Sequence, residues 1–160
     1  MKKTALMGFG NPVRSDDGVG CYVIERLQAR MGASAPDLTL IDMGTSAFEV
    51  LFQLQGHTRI IVVDAVINTG EPDGTLYRLP AEAVAAAVQE DPMVFLHSLK
   101  WDQALSYASR ILGPAYPDDI TVYLIAVSQT RLEMGLSPEV MAAGDKVADM
   151  IAETLISAPV

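Results

Sequence analysis

Arg59-Ile60-Ile61-Val62-Val63-Asp64 is the stretch on which the fold turns. Its four consecutive β-branched side chains, Ile60 to Val63, are stiff at χ1 and suit a pleated strand. An unbroken apolar run fits a strand covered on both faces, as in the middle of a parallel sheet. Parallel neighbours must be joined by crossovers, usually helices, so helical patterns are expected on either side. Upstream, Thr4–Gly8 is a short buried strand and Asp37–Asp42 a second. Between them, Gly18 to Met31 carries Val19, Val23, Ile24, Leu27 and Met31 at helical spacing. Ala47–Leu54 is a further helix.

Downstream, Gly74–Leu79 alternates and follows the turn signal Glu71-Pro72-Asp73-Gly74, which predicts a more exposed edge strand. The alanine-rich stretch Ala81–Gln89 predicts a short helix, Ser98–Leu112 a longer one, and Ile120–Val127 another core strand. Pro138–Ile156 closes the chain as an amphipathic helix with Pro138 in its first turn. The expected fold is α/β: a mostly parallel twisted sheet of about five strands with helices on both faces, a three-layer sandwich.

The chain of 160 residues suits one domain spanning 1–160, with half its residues apolar and a fifth charged. No apolar run approaches the roughly 20 residues that span a bilayer. The basic start Met1-Lys2-Lys3 is followed by an apolar stretch that ends at Gly10-Asn11, too short for a signal-peptide core. A cytoplasmic location is therefore expected. The single cysteine, Cys21, rules out an internal disulfide. A net charge of −9 argues against nucleic acid and anionic membranes as partners. A cation or a basic peptide is easier to accommodate.

The segment Gly8–Gly20, GFGNPVRSDDGVG, links the first strand to the first helix. Ligands of open α/β sheets bind beyond the carboxyl ends of the strands. The dinucleotide fingerprint fails because Val13 stands where its third glycine belongs, and no Gly-Lys-Ser/Thr follows for a phosphate loop. Asp16 and Asp17 stand at the helix start, where one serves naturally as a cap. Two adjacent aspartates leave the other to face a cation. Asp64 ends its strand, where it is either a site carboxylate or a cap for the segment beyond Ala65. Asp42 ends the second strand and is either a site carboxylate or a helix cap with Thr45 or Ser46.

His57 lies in a polar turn at a strand's amino end, facing away from such a site, and is expected on the surface. His97 follows the irregular segment Gln89–His97 and opens a helix. A lone histidine is more often structural, but His97 alone is placed to join strand-end carboxylates. Two carboxylates and one imidazole suit a borderline metal such as nickel or zinc, with positions left open for water or substrate. No G-x-S-x-G elbow occurs. Cys21 falls inside the first helix pattern and is expected to be a small buried hydrophobe.

Five pieces in order, GFGNPVRSDDGVG, IDMGT, VVDA, LHSLKWDQAL and GLSPEV, resemble the nickel–iron hydrogenase maturation proteases over essentially the whole chain. The resemblance implies a phosphorylase/hydrolase-like α/β fold. It implies an endopeptidase that removes a C-terminal extension from the hydrogenase large-subunit precursor after nickel insertion. It carries the metal ligands to Asp17, Asp64 and His97, and a role in activity or substrate choice to Asp42. The residue after that aspartate is usually small in the family and is Met43 here, which bears on the shape of the substrate cleft. The late Val127-Ser128-Gln129 lacks the family's proline or acidic residue, and no site residue is assigned there.

The nickel is expected to arrive with the substrate, with cadmium or zinc able to substitute in vitro. The nucleophilic water could be activated by metal or by a carboxylate, and the general base stays open. Two other functions fit the same residues: a metal-dependent hydrolase of small substrates, and a nickel-binding chaperone that docks the large subunit without shortening it. The geometric expectation is that the carboxylates of Asp17 and Asp64 and the ring of His97 lie within roughly 8 Å in an open cleft. Asp42 should stand near that rim and His57 near the opposite edge.

Overall fold

The computed structural model describes residues 3–31, 37–46, 50–83 and 100–157. Its strands are β1 (Thr4–Phe9), β2 (Leu38–Gly44), β3 (Arg59–Val66), β4 (Leu76–Pro80) and β5 (Asp119–Ala126). They form one sheet in the order β2-β1-β3-β5-β4. Every pairing is parallel except that of β4, which runs antiparallel along the outer edge of β5. The described α-helices are α1 (Val19–Met31), α2 (Val50–Leu54), α3 (Lys100–Leu112) and α4 (Pro138–Ser157).

Side-chain alternation on the central strands builds two cores. Ala5, Met7 and Phe9 of β1 and Ile60, Val62 and Val66 of β3 pack with Val50 and Leu54 of α2 and Leu105 and Ala108 of α3. The intervening Leu6, Ile61, Val63 and Ala65 pack with α1 through Val23, Ile24 and Leu27, and with α4 through Val140, Val147 and Ile151. Each large aliphatic side chain buried in this way stabilises the fold by about 1.5–3 kcal/mol. β1 and β3 are covered on both sides, which explains why neither shows polar alternation.

The expected mostly parallel five-stranded sheet with helices on both faces is the one observed, with shifts at the element ends. One shift concerns the site. β3 does not end at Asp64 but continues to Val66, because β5 keeps pairing with it from Asp64↔Leu124 to Val66↔Ala126. β1 has already left, its last pair with β3 being Gly8↔Val63. Asp64 is therefore a strand residue just past the point where β3 loses one neighbour. Of the helix expected over Ala81–Gln89, residues 81–83 are helical and the rest lies outside the described residues. Among the described residues no helix is long and apolar enough to cross a membrane.

The amino end of α1 sits directly on the sheet. A Cβ on Gly20 would lie 2.2 Å from the Phe9 carbonyl oxygen and 2.7 Å from that of Val63. Only glycine lets the helix start this close to both strands. His57 is at the amino edge, as expected, its backbone followed by a Thr58 N–H bond to the Lys3 carbonyl. It is half-buried rather than fully on the surface, with Nε2 3.0 Å from Thr39 Oγ1.

Candidate active site

The loop after β1 is organised by short-range hydrogen bonds. Gly10 N–H donates to the Gly44 carbonyl at 2.8 Å, tying the loop to the end of β2. Val13 N–H donates to Asn11 Oδ1 at 3.1 Å, an Asx turn that starts the reversal before Pro12 is passed. Ser15–Gly18 then form one 3₁₀ turn that leads into α1 and lies against β3.

Asp17, half-buried in that turn, accepts the Asn11 N–H on Oδ2 at 3.0 Å. Gly10 has φ +138°, and a Cβ there would fall 1.9 Å from the Asp17 carbonyl oxygen. The loop thus closes on itself only because that position is glycine.

Neighbouring side chains of a 3₁₀ turn diverge by about 120°, so Asp16 and Asp17 face different surroundings. Asp16 is 1% exposed. Its Oδ1 accepts the Ser137 N–H at 2.7 Å and its Oδ2 the Ser137 hydroxyl at 2.8 Å. One aspartate of the pair is indeed a cap, but it caps the start of α4 rather than its own helix, whose preceding turn has no side-chain cap. Asp17, by contrast, is half-buried and accepts the Asn11 N–H.

Asp42 is exposed on β2 and pairs with Gly8 of β1. Its Oδ1 accepts the Gly44 N–H at 3.0 Å, so it caps the turn at the strand's end. The same oxygen lies 3.0 Å from Cys21 Sγ of α1. Cys21 is buried as expected, yet it is a hydrogen-bond donor and not only a filler. Burial, the hydrogen bond to Asp42 and the charges of Asp42 and Asp64 all push the thiol's pKa well above its ordinary value. Met43, the residue after Asp42, is 5% exposed in the core with Phe9 and Val50, so its side chain serves packing rather than the open rim.

Asp64 is 3% exposed and its Oδ1 accepts the N–H of the following Ala65 at 2.8 Å. It shares the strand parity of Ile60, Val62 and Val66, the side covered by α2 and α3. A single residue relates the acidic positions: Gly8 pairs with Asp42 on one side and on the other with Val63, the residue before Asp64. Asp42 and Asp64 therefore flank the exit of β1, from which the loop carrying Asp17 departs.

His97 lies outside the described residues, ahead of the start of α3 at Lys100. Among the described residues no group of three or more His, Cys, Asp or Glu side chains is arranged to hold a metal. Carboxylate oxygens such as those of Asp17 and Asp64 are donors of the kind a divalent cation accepts.

Sequence reasoning did not find Ser137 or the role of Cys21. Ser137-Pro138 does carry the signature of a helix start, but nothing local names Asp16 as its partner.

Asp42 and Asp64 thus lie on the two strands that flank the carboxyl end of β1 in a mostly parallel α/β sheet, the end beyond which ligands of such sheets bind. Residues 21–154 match the sequence profile of the hydrogenase maturation proteases, and the chain belongs to that family. The match takes in Asp42, Asp64 and His97 and begins after Asp17.

The hydrogenase expression/formation protein HoxM of Cupriavidus necator is 34% identical over 127 residues, covering 79% of this chain and 59% of the relative. The hydrogenase 2 maturation protease of Escherichia coli is 26% identical over 151 residues, covering 94% of this chain and 88% of the relative. The solved structure of the hydrogenase maturating endopeptidase HybD from E. coli superposes with a TM-score of 0.80 at 22% identity, covering 98% of this chain and 94% of that one, and shows the same fold. The two Escherichia coli relatives are named as a protease and an endopeptidase, that is, hydrolases of peptide bonds.

Proposed function

We propose that this chain is a cytoplasmic endopeptidase that removes the C-terminal extension of a hydrogenase large-subunit precursor after nickel insertion. The nickel arrives as part of the substrate. The observation that carries this reading is the placement of Asp42 and Asp64 on either side of the β1 exit, with Asp17 on the loop that leaves it, in a member of this family.

In this reading Asp17, Asp64 and His97 contact the nickel held by the precursor. Cadmium or zinc would occupy the same contacts in vitro. Nickel in that position supplies Lewis acidity toward a nearby carbonyl. The protein's own residues do the rest. Asp64, buried in the sheet, presents a charge that solvent screens poorly, so it discriminates strongly between a cationic and an empty precursor. Asp42 has Oδ1 engaged by Gly44 and Cys21, which orients its carboxylate at the rim. Hydrolysis adds a water oxygen to the scissile carbonyl carbon. That water is activated by metal or by a carboxylate, the carbon–nitrogen bond breaks, and the proton the water loses ends on the departing amide nitrogen.

The test is mass spectrometry of precursor with and without nickel, each incubated with the protein. Loss of the C-terminal peptide from the loaded form alone is expected, and Asp17→Ala, Asp64→Ala or His97→Ala should abolish it. Equal processing of both forms would sink nickel sensing. Stable binding without shortening would point to a chaperone.

A further inference from the structure

Between β5 and α4 the chain passes through residues 127–137, a segment in which no site residue was expected. The structure stitches it to the loop that carries Asp17. Glu133 N–H donates to the Val13 carbonyl at 2.9 Å and Ser15 N–H to the Glu133 carbonyl at 2.8 Å, a parallel bridge between residues far apart in sequence. Ser15 Oγ donates to the Arg131 carbonyl at 2.9 Å and Arg14 Nη1 to the Thr130 carbonyl at 3.0 Å. Ser15 holds φ +54°, a conformation that a serine adopts only when its surroundings enforce it.

Beyond the bridge, both oxygens of Asp16 are taken by Ser137. A buried carboxylate needs such partners, and here they come from the first residue before a 20-residue helix. The α4 amino end thus grips the residue adjacent to Asp17. Asp17 itself is gripped from the other side by the Asn11 N–H.

We propose that Asp16 and Ser137 form a latch that positions Asp17 for catalysis, making both of them positioning residues. This rests on the proposed role of Asp17 in contacting the nickel-loaded precursor. The turn is short, so a shift of Asp16 carries Asp17 with it. Loss of the latch leaves the Asp17 carboxylate chemically intact but displaced. Displacements of about 1 Å in a catalytic constellation lower turnover by up to about 100-fold.

Four variants test it: Ser137→Ala, Ser137→Thr, Asp16→Asn and, as reference, Asp17→Ala. Three quantities are read in each: kcat and KM on nickel-loaded precursor, the urea midpoint, and amide exchange at Asn11, whose N–H reports the Asp17 contact. Ser137→Ala removes the hydroxyl but keeps the backbone N–H to Asp16. It should lower kcat about tenfold, leave KM within about twofold, and speed exchange at Asn11. Ser137→Thr keeps the hydroxyl and should restore all three. Should Asp16→Asn not fold, the Ser137 pair decides alone.

Wild-type kcat in Ser137→Ala overturns the latch, and so does a lower kcat with unchanged exchange at Asn11. A loss that only tracks the urea midpoint and is not restored by threonine overturns it too. If Asp17→Ala cleaves normally, the proposed function's assignment of Asp17 fails and the latch falls with it. If Asp17→Ala is inactive while the latch variants match wild type, the latch alone fails.

Discussion

The Sγ of Cys21 lies 3.0 Å from Oδ1 of Asp42, joining the first turn of α1 to the end of β2. The thiol is the donor, so the contact exists only while Cys21 keeps its proton.

The first prediction concerns that proton. Burial, then the hydrogen bond to Asp42, then the Asp42 and Asp64 charges raise the thiol's pKa in the folded state. In the unfolded chain a thiol titrates near about pH 8.5. Below that value both states are protonated and the thiol's contribution to stability is whole. Above it the unfolded chain releases the proton while the folded one retains it, so stability declines with rising pH. Urea midpoints measured from neutral pH upward should fall more steeply for the wild type than for Cys21→Ala beyond about pH 8.5. Parallel curves would remove the thiol from this balance.

A second prediction separates stability from chemistry at Asp64. A buried carboxylate is costly to desolvate, and Asn at this position keeps an acceptor for the Ala65 N–H. Asp64→Asn should change unfolding free energy by less than about 1 kcal/mol, yet lower cleavage of loaded precursor by about 100-fold or more. Near-normal cleavage in a well-folded Asp64→Asn would mean that the charge is not used.

Glycines at the two ends of the sheet should respond differently. At Gly10 an added Cβ meets the Asp17 carbonyl, so Gly10→Ala should destabilise by about 1–3 kcal/mol and abolish cleavage by pushing Asp17 away. Gly56, φ +79°, has nothing within 4 Å of an added Cβ and lies in the turn beside His57. Gly56→Ala should cost about 1 kcal/mol from backbone strain and leave kcat unchanged. Thermal unfolding and cleavage assays on the pair check both halves. Full activity in Gly10→Ala would contradict the tight closure of the loop.

Much of this was legible in the chain itself. The run Ile60–Val63 specified a strand buried on both faces, and the alternation after Gly74 an edge strand, because side-chain stiffness and the two-residue period of a strand are local properties. The same periodicity placed Asp42 and Asp64 near strand ends, and strand direction put them on one edge. Local pattern could not say where β3 stops, since Asp64 to Val66 stay in the sheet only because β5 is there to pair with them. Nor could it say which aspartate of the Asp16-Asp17 pair is structural. That was decided by Ser137, which the crossovers bring back over the first loop from a separation of 121 residues. Asp42 likewise meets Cys21 only because Gly20 lets α1 start against the strands. Backbone preference acts within a few residues, whereas a buried carboxylate takes whatever donor the packed helices deliver to it. The sequence therefore determined the sheet and the carboxylates near its edge, and the tertiary packing alone decided that Asp16 holds the start of α4 and that Asp42 meets Cys21.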